Sequence, residues 1–221
     1  MSTVLFVVTG ARTWTLSDGT AHPTGYWAEE LLAPYRLLTA AGHDVDFTTP
    51  GGVVPVADTG SLGDGDIEEI AAISGLAAPL VLADVDPLAY DAVYYPGGHG
   101  PMQDLAVDAD SAALIAATVA DGRPLAAVCH GLAALLPART SSGEPIVAGR
   151  HITGFSDEEE RIGGLAVRAP FLLEASLRSL GADVDVADPW SDHIVVDGLL
   201  ITGQNPQSST SVAAALVAAL D

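Results

Sequence analysis

The sequence contains no lysine. All 8 of its basic residues are Arg, set against 29 Asp and Glu, for a formal net charge of −21 at pH 7. Without an ε-amino group there is no Schiff-base chemistry, no pyridoxal-phosphate anchor and no Walker-A lysine. The scarcity of cations also opposes binding to nucleic acid or to an anionic membrane, because phosphate neutralisation needs clustered Lys and Arg. The acid excess reads as a solvated surface. Cysteine is almost missing too. Cys129 is the only one, which excludes an internal disulfide and any cysteine-based metal cluster. No H-x-x-x-H or H-E-x-x-H spacing occurs, so no metal and no other cofactor is expected. No apolar run reaches the ~18 residues that a membrane span needs. The chain passes from Met1-Ser2-Thr3 directly into an apolar strand. It has no basic n-region, so the expectation is a cytoplasmic protein with no signal peptide.

What the sequence does have is enough apolar material for a full core: 49% of 221 residues, which suits one α/β domain over residues 1–221. The continuous apolar run Thr3 to Thr9 reads as a central parallel strand, Asp91 to Tyr95 as a short strand, and Asp44 to Thr49 alternates as a strand does. Further strands are expected at His151 to Phe155, Asp183 to Ala187, Ile194 to Val196 and Leu199 to Thr202. Helices are expected at Tyr26 to Ala41 (capped by Thr24), Ile67 to Leu76, Asp108 to Ala120, Pro170 to Leu180 and Pro206 to Leu220. Gly10 to Thr24 reads as a long loop. Strands alternating with helices imply right-handed crossovers and a mostly parallel sheet covered on both faces.

The stretch Arg123 to Leu136, RPLAAVCHGLAALL, organises the rest. Pro124 to Val128 reads as a buried strand and Gly131 to Leu136 as a helix, with almost no loop between them. Such a turn strains its central residue and presents that side chain at the strand's C-terminal end. Here the residue is Cys129. Ala127 and Gly131 are the small neighbours that a close strand–helix approach requires, so A-x-C-x-G is a cysteine analogue of the nucleophile elbow. Backbone N–H groups at a helix start would favour the thiolate. His130, beside it, is the candidate base. Glu29 and Glu30 open the first helix on the same rim, and an acid turned inward among Tyr26, Trp27 and Leu31 would stay protonated and could shuttle a proton. Gly98, in the turn PGGHGP, could join the His130 N–H in an oxyanion hole. Trp27, His99 and Trp190 are candidate pocket walls.

TGYWAEELLAPY, YDAVYYPGGHGPMQDL, PLAAVCHGLAAL, ITGFSDEEE, PFLLE and VVDGLLITGQNPQSS cover nearly the whole chain in order. With these stretches the chain resembles the ThiJ/PfpI superfamily, whose distant relatives are the class I glutamine amidotransferases. Within it the chain looks most like the branch of glutathione-independent glyoxalase III enzymes and heat-shock chaperones. The resemblance implies a flavodoxin-like three-layer sandwich with Cys129 as nucleophile, His130 as base, Glu30 against the thiol, and Glu160 orienting His130, with Asp157 or Glu159 as substitutes. It implies Gly98 and His130 as the oxyanion hole, a homodimer, and a small carbonyl compound as substrate. The longer chaperone members carry an extra domain and a metal site, and this chain is too short for that domain. The implied reaction is a cofactor-free conversion of methylglyoxal to D-lactate, with deglycation as a reuse of the site. The alternatives are a cysteine hydrolase or hydratase acting on an amide, peptide or isonitrile, and a redox sensor or holdase built on Cys129.

Overall fold

The computed structural model describes all residues, Met1–Asp221. In chain order its elements are β1 (Thr3–Val7), β2 (Thr13–Thr15), β3 (Ala21–Pro23), α1 (Ala28–Ala40), β4 (Asp44–Thr49), α2 (Asp66–Ala72), α3 (Ser74–Ala77), β5 (Leu80–Val81), β6 (Ala92–Tyr95), α4 (Gly100–Gln103), α5 (Ala109–Ala120) and β7 (Leu125–Val128). A 3₁₀ helix, Cys129–Leu135, follows β7 directly. Then come β8 (His151–Ile152), α6 (Asp157–Ile162), α7 (Leu173–Ser179), β9 (Asp183–Val184), β10 (Ile194–Asp197), β11 (Leu200–Gly203) and α8 (Ser209–Leu220).

Seven strands form the central sheet in the order β10-β11-β7-β6-β1-β4-β5. All pairings are parallel except β10 with β11, a tight antiparallel hairpin at one edge. β6 and β7 are buried at every position, which is why they read as unbroken apolar runs. The connection from β1 to β4 moves one way along the sheet and that from β6 to β7 moves the other way. Right-handed crossovers therefore put α1 and α5 on opposite faces. α8 packs beside α1, and the order of crossovers reverses between β1 and β6. In open α/β sheets a crevice forms at the strands' C-terminal ends at such a reversal. The segments after β1, β6 and β7 meet there.

Local differences from the sequence expectations have identifiable causes. The Gly10 to Thr24 stretch is not plain loop, since β2 and β3 pair as a hairpin across it. Thr24 does not cap α1. Its hydroxyl donates to Asp58 Oδ2 at 2.9 Å, and Trp27 is the residue preceding the helix. The helix expected over Ile67 to Leu76 breaks at Ile73 into α2 and α3. The strand expected at His151 to Phe155 is only the two residues of β8, and it pairs with β9 in a separate small sheet. The Thr153 N–H instead donates to the Thr202 hydroxyl of β11 at 3.0 Å, so the chain leaves the strand there. The helix expected at Pro170 to Leu180 begins at Leu173. No helix is long and apolar enough to cross a membrane.

Candidate active site

Four segments converge at the crevice. The first is the turn after β7. Cys129 has φ 56, one of two non-glycine residues in the left-handed region, a conformation that costs a residue with a Cβ about 1–2 kcal/mol. It turns the sulfur back toward its own neighbour, so that Cys129 Sγ lies 3.4 Å from His130 Nδ1. The helix that follows is 3₁₀ and begins at Cys129 itself. A Cβ at Gly131 would collide with the Tyr95 carbonyl, which explains the small residue after His130. The elbow pattern predicts an exposed side chain at the turn, but Cys129 is buried at 4% exposure under the pocket walls.

The second segment is the loop after β6. Gly98 has φ +88, and a Cβ there would lie 2.5 Å from the Gly25 carbonyl oxygen and 2.7 Å from Trp27 N. That close approach lets the backbone N–H of Gly98 reach the Cys129 sulfur together with the N–H of His130, and both contacts favour the thiolate.

The third is the start of α1. Glu30 is wholly buried. Its Oε2 accepts the Gly97 N–H at 2.7 Å, and the Tyr94 hydroxyl donates to its backbone carbonyl at 2.6 Å. Its other oxygen, Oε1, has no partner in normal hydrogen-bond geometry, and the Cys129 thiol is the group it interacts with. Burial pushes the Glu30 carboxyl up to about 8, opposed by the thiol and the Gly97 N–H, so the acid is neutral at pH 7. Burial, and then a charged Glu30, push the thiol well up. A neutral Glu30 removes that repulsion and aims a proton donor at the sulfur.

The fourth is α6. Ser156 and Glu159 close a reciprocal capping box, and this fixes the next residue, Glu160, pointing inward. Glu160 Oε2 lies 2.7 Å from His130 Nε2, and Oε1 lies 3.0 Å from His99 Nε2. Burial alone would raise Glu160, but the two imidazoles outweigh it and hold the carboxyl below the usual range. For His130 the balance runs the other way. Burial and His99 push it down, and Glu160 only partly compensates. With His130 held low, the arrangement is a neutral imidazole whose Nε2–H donates to an ionised Glu160. The Nδ1 lone pair then faces the sulfur. The other two candidate acids have other partners. Glu159 accepts from Trp190 N at 2.9 Å and Asn205 Nδ2 at 2.8 Å, and the Asp157 carboxylate accepts the Ala175 N–H at 3.4 Å.

These groups open into a cavity of about 290 Å³. Cys129, His130, Glu160, Gly98, Trp27, His99 and Trp190 all line it, whereas Glu30 lies behind the thiol and does not. The sequence points to the Gly10 to Thr24 and Pro50 to Asp86 segments as sources of the wall, and these supply His22 and Asp58, which it does not single out; Phe155 is a wall residue it does not point to. Nor does it single out Trp14, which stacks on His99 with ring centroids 5.1 Å apart. His99, His130 and Glu160 offer ligand atoms within 4.8 Å of one another. Residues with no metal-binding spacing in sequence thus do converge, with both Nε2 atoms committed to Glu160. A second cavity, of about 160 Å³ between Arg123, Leu125 and Leu200, lies at the opposite ends of the strands and contains no nucleophile.

A buried cysteine on a strand-to-helix turn, a histidine beside it bonded to a carboxylate and a further buried carboxyl behind it are held by an α/β fold with a mostly parallel sheet. The chain belongs to the DJ-1/PfpI family, whose profile matches residues 23–219. It is 30% identical over 240 residues to Glyoxalase 3 of Candida albicans, with 100% of this chain and 99% of that protein covered. It is 28% identical to the Glutathione-independent glyoxalase HSP31 of Saccharomyces cerevisiae, covering 98% of this chain and 97% of the relative. The crystal structure of glyoxalase III from Candida albicans superposes with a TM-score of 0.87 at 28% identity, over 99% of this chain and 97% of the other.

Proposed function

We propose that this protein is a glutathione-independent glyoxalase that converts methylglyoxal, or a related 2-oxoaldehyde, to D-lactate or the matching 2-hydroxy acid. The observation that carries the reading is the Cys129–His130–Glu160 array, with the His130 Nδ1 lone pair 3.4 Å from the sulfur and Nε2 fixed 2.7 Å from Glu160. His130 takes the thiol proton, and the sulfur adds to the aldehyde carbon as a hemithioacetal. The N–H groups of Gly98 and His130 receive the developing oxyanion. The imidazolium gives the thiol proton to that oxygen, which completes the hemithioacetal, and the freed imidazole then removes the proton on the carbon and returns it to the neighbouring one through an enediolate. The product is a thioester, which water hydrolyses to the hydroxy acid and free thiol. One water is consumed, and no electron acceptor is needed. Glu30, neutral behind the sulfur, donates to the thiolate and stabilises it.

The array performs in one protein what a soluble thiol would otherwise supply, and the names of its relatives support that reading. Deglycation of amine or thiol adducts would use the same hemithioacetal and thioester steps. The test is purified protein with methylglyoxal and no added thiol. Lactate formed in many-fold excess over protein supports the reading. Disappearance of methylglyoxal without lactate, which simple adduct formation would produce, contradicts it.

A further inference from the structure

The wall of the cavity over Cys129 includes the aromatic Trp27, Phe155 and Trp190, the acids Asp58 and Glu160, and the imidazoles of His22, His99 and His130. No Arg lines it, and the chain has no Lys. Asp58 has no part in the chemistry derived above. It is presented by the segment after β4, where Ala57 bridges to Tyr26. Its Oδ2 accepts the Thr24 hydroxyl and its Oδ1 accepts the Gly60 N–H, each at 2.9 Å. Both donors are neutral. They fix the direction of the carboxylate without cancelling its charge.

We propose that Asp58 is a specificity-determining residue that restricts this site to uncharged 2-oxoaldehydes and rejects those bearing a carboxylate or phosphate. The proposal rests on the glyoxalase reading and narrows its substrate class. In a space of about 290 Å³, any anionic substituent lies within about one Debye length of both acids, roughly 8 Å at physiological salt. It loses hydration on entry and meets the Asp58 carboxylate, whose partners are both neutral, while the imidazoles of His99 and His130 are already bonded to Glu160. Selectivity set by such repulsion survives even where the aromatic walls would welcome the rest of the molecule. The formal charge of −21 acts in the same direction, since it lowers the concentration of anions at the entrance.

The test compares kcat/KM for 4-methoxyphenylglyoxal and 4-carboxyphenylglyoxal, which are similar in size and differ in charge. The carboxylate compound is expected to be about tenfold worse or more, and the gap should narrow on raising salt. The ratio of the two within the Asp58→Asn variant should move toward unity; the variant has nearly the same shape, its one oxygen can still accept the Gly60 N–H, and its amide nitrogen can donate to the Thr24 hydroxyl. Salt dependence in the unmodified protein gives the same answer should that variant fold poorly. Turnover of both compounds at equal efficiency, insensitive to salt, overturns the charge selection and leaves the glyoxalase reading intact. If methylglyoxal itself is not turned over, the parent reading falls, and the selection with it.

Discussion

The ring nitrogen of His130 lies 3.4 Å from the sulfur of Cys129, its immediate neighbour in the chain. Consecutive side chains normally diverge in a strand or helix. These two meet because Cys129 sits at φ 56. Base and nucleophile are therefore juxtaposed at the expense of backbone strain. In an ordinary strand or helix, Gly in place of Ala costs roughly 0.5–1 kcal/mol. At position 129 that penalty should vanish, so Cys129→Gly should be at least as stable as Cys129→Ala in urea denaturation. A Gly variant weaker by the usual amount would show that the turn is not strained.

Glu30 supplies a readout that does not depend on turnover. Its carboxyl sits at about 8 in the folded chain against 4.5 when unperturbed. Between those values the folded state holds a proton that the unfolded state has released. The stabilising effect is complete below 4.5 and is lost as pH rises toward 8, with a slope of about 1.4 kcal/mol per pH unit from this group. Glu30→Gln cannot release that proton. Measured by urea denaturation from pH 5 to 8, the stability of the unmodified protein should fall more steeply with pH than that of the variant. Parallel curves would mean that Glu30 is ionised at neutral pH.

Glu160 and His99 should move the acid limb of the activity profile in opposite directions. His130 is held below its ordinary value of 6.5, with Glu160 raising it and His99 lowering it. The limb should therefore lie below pH 6.5. Glu160→Gln should cut kcat by about 100-fold or more, because an amide cannot accept from two Nε2–H donors and orientation is lost. It should also shift the limb to lower pH. His99→Asn should cost only several-fold in kcat and shift the limb upward. Initial-rate measurements across pH 4 to 8 check both. Shifts in the same direction would contradict the shared-carboxylate arrangement.

Much of this site is legible in the sequence because its parts are local. The apolar run into Cys129-His130-Gly131 shows an elbow before any partner is known. The pairing of Glu160 with His130, across 30 positions, came from the family resemblance and not from spacing. Some individual residues of the cavity wall were hidden for a different reason. Asp58 stands in a stretch of 3₁₀ turns with no periodicity, and β2 is too short for its pattern to reveal that Trp14 backs His99. The split helix at Ile73 and the two-residue β8 were misjudged because tertiary hydrogen bonds, such as Thr153 to Thr202, decide where short elements end.

The most direct test of the account is lactate production by the unmodified protein and by Cys129→Ala, each with methylglyoxal and no added thiol. The sulfur is the atom that bonds to substrate, so the account predicts sustained lactate formation by the first. From the second it predicts none above the protein-free rate, with Cys129→Ala still folded by circular dichroism. Lactate from the folded Ala variant at a rate near that of the unmodified protein would contradict it.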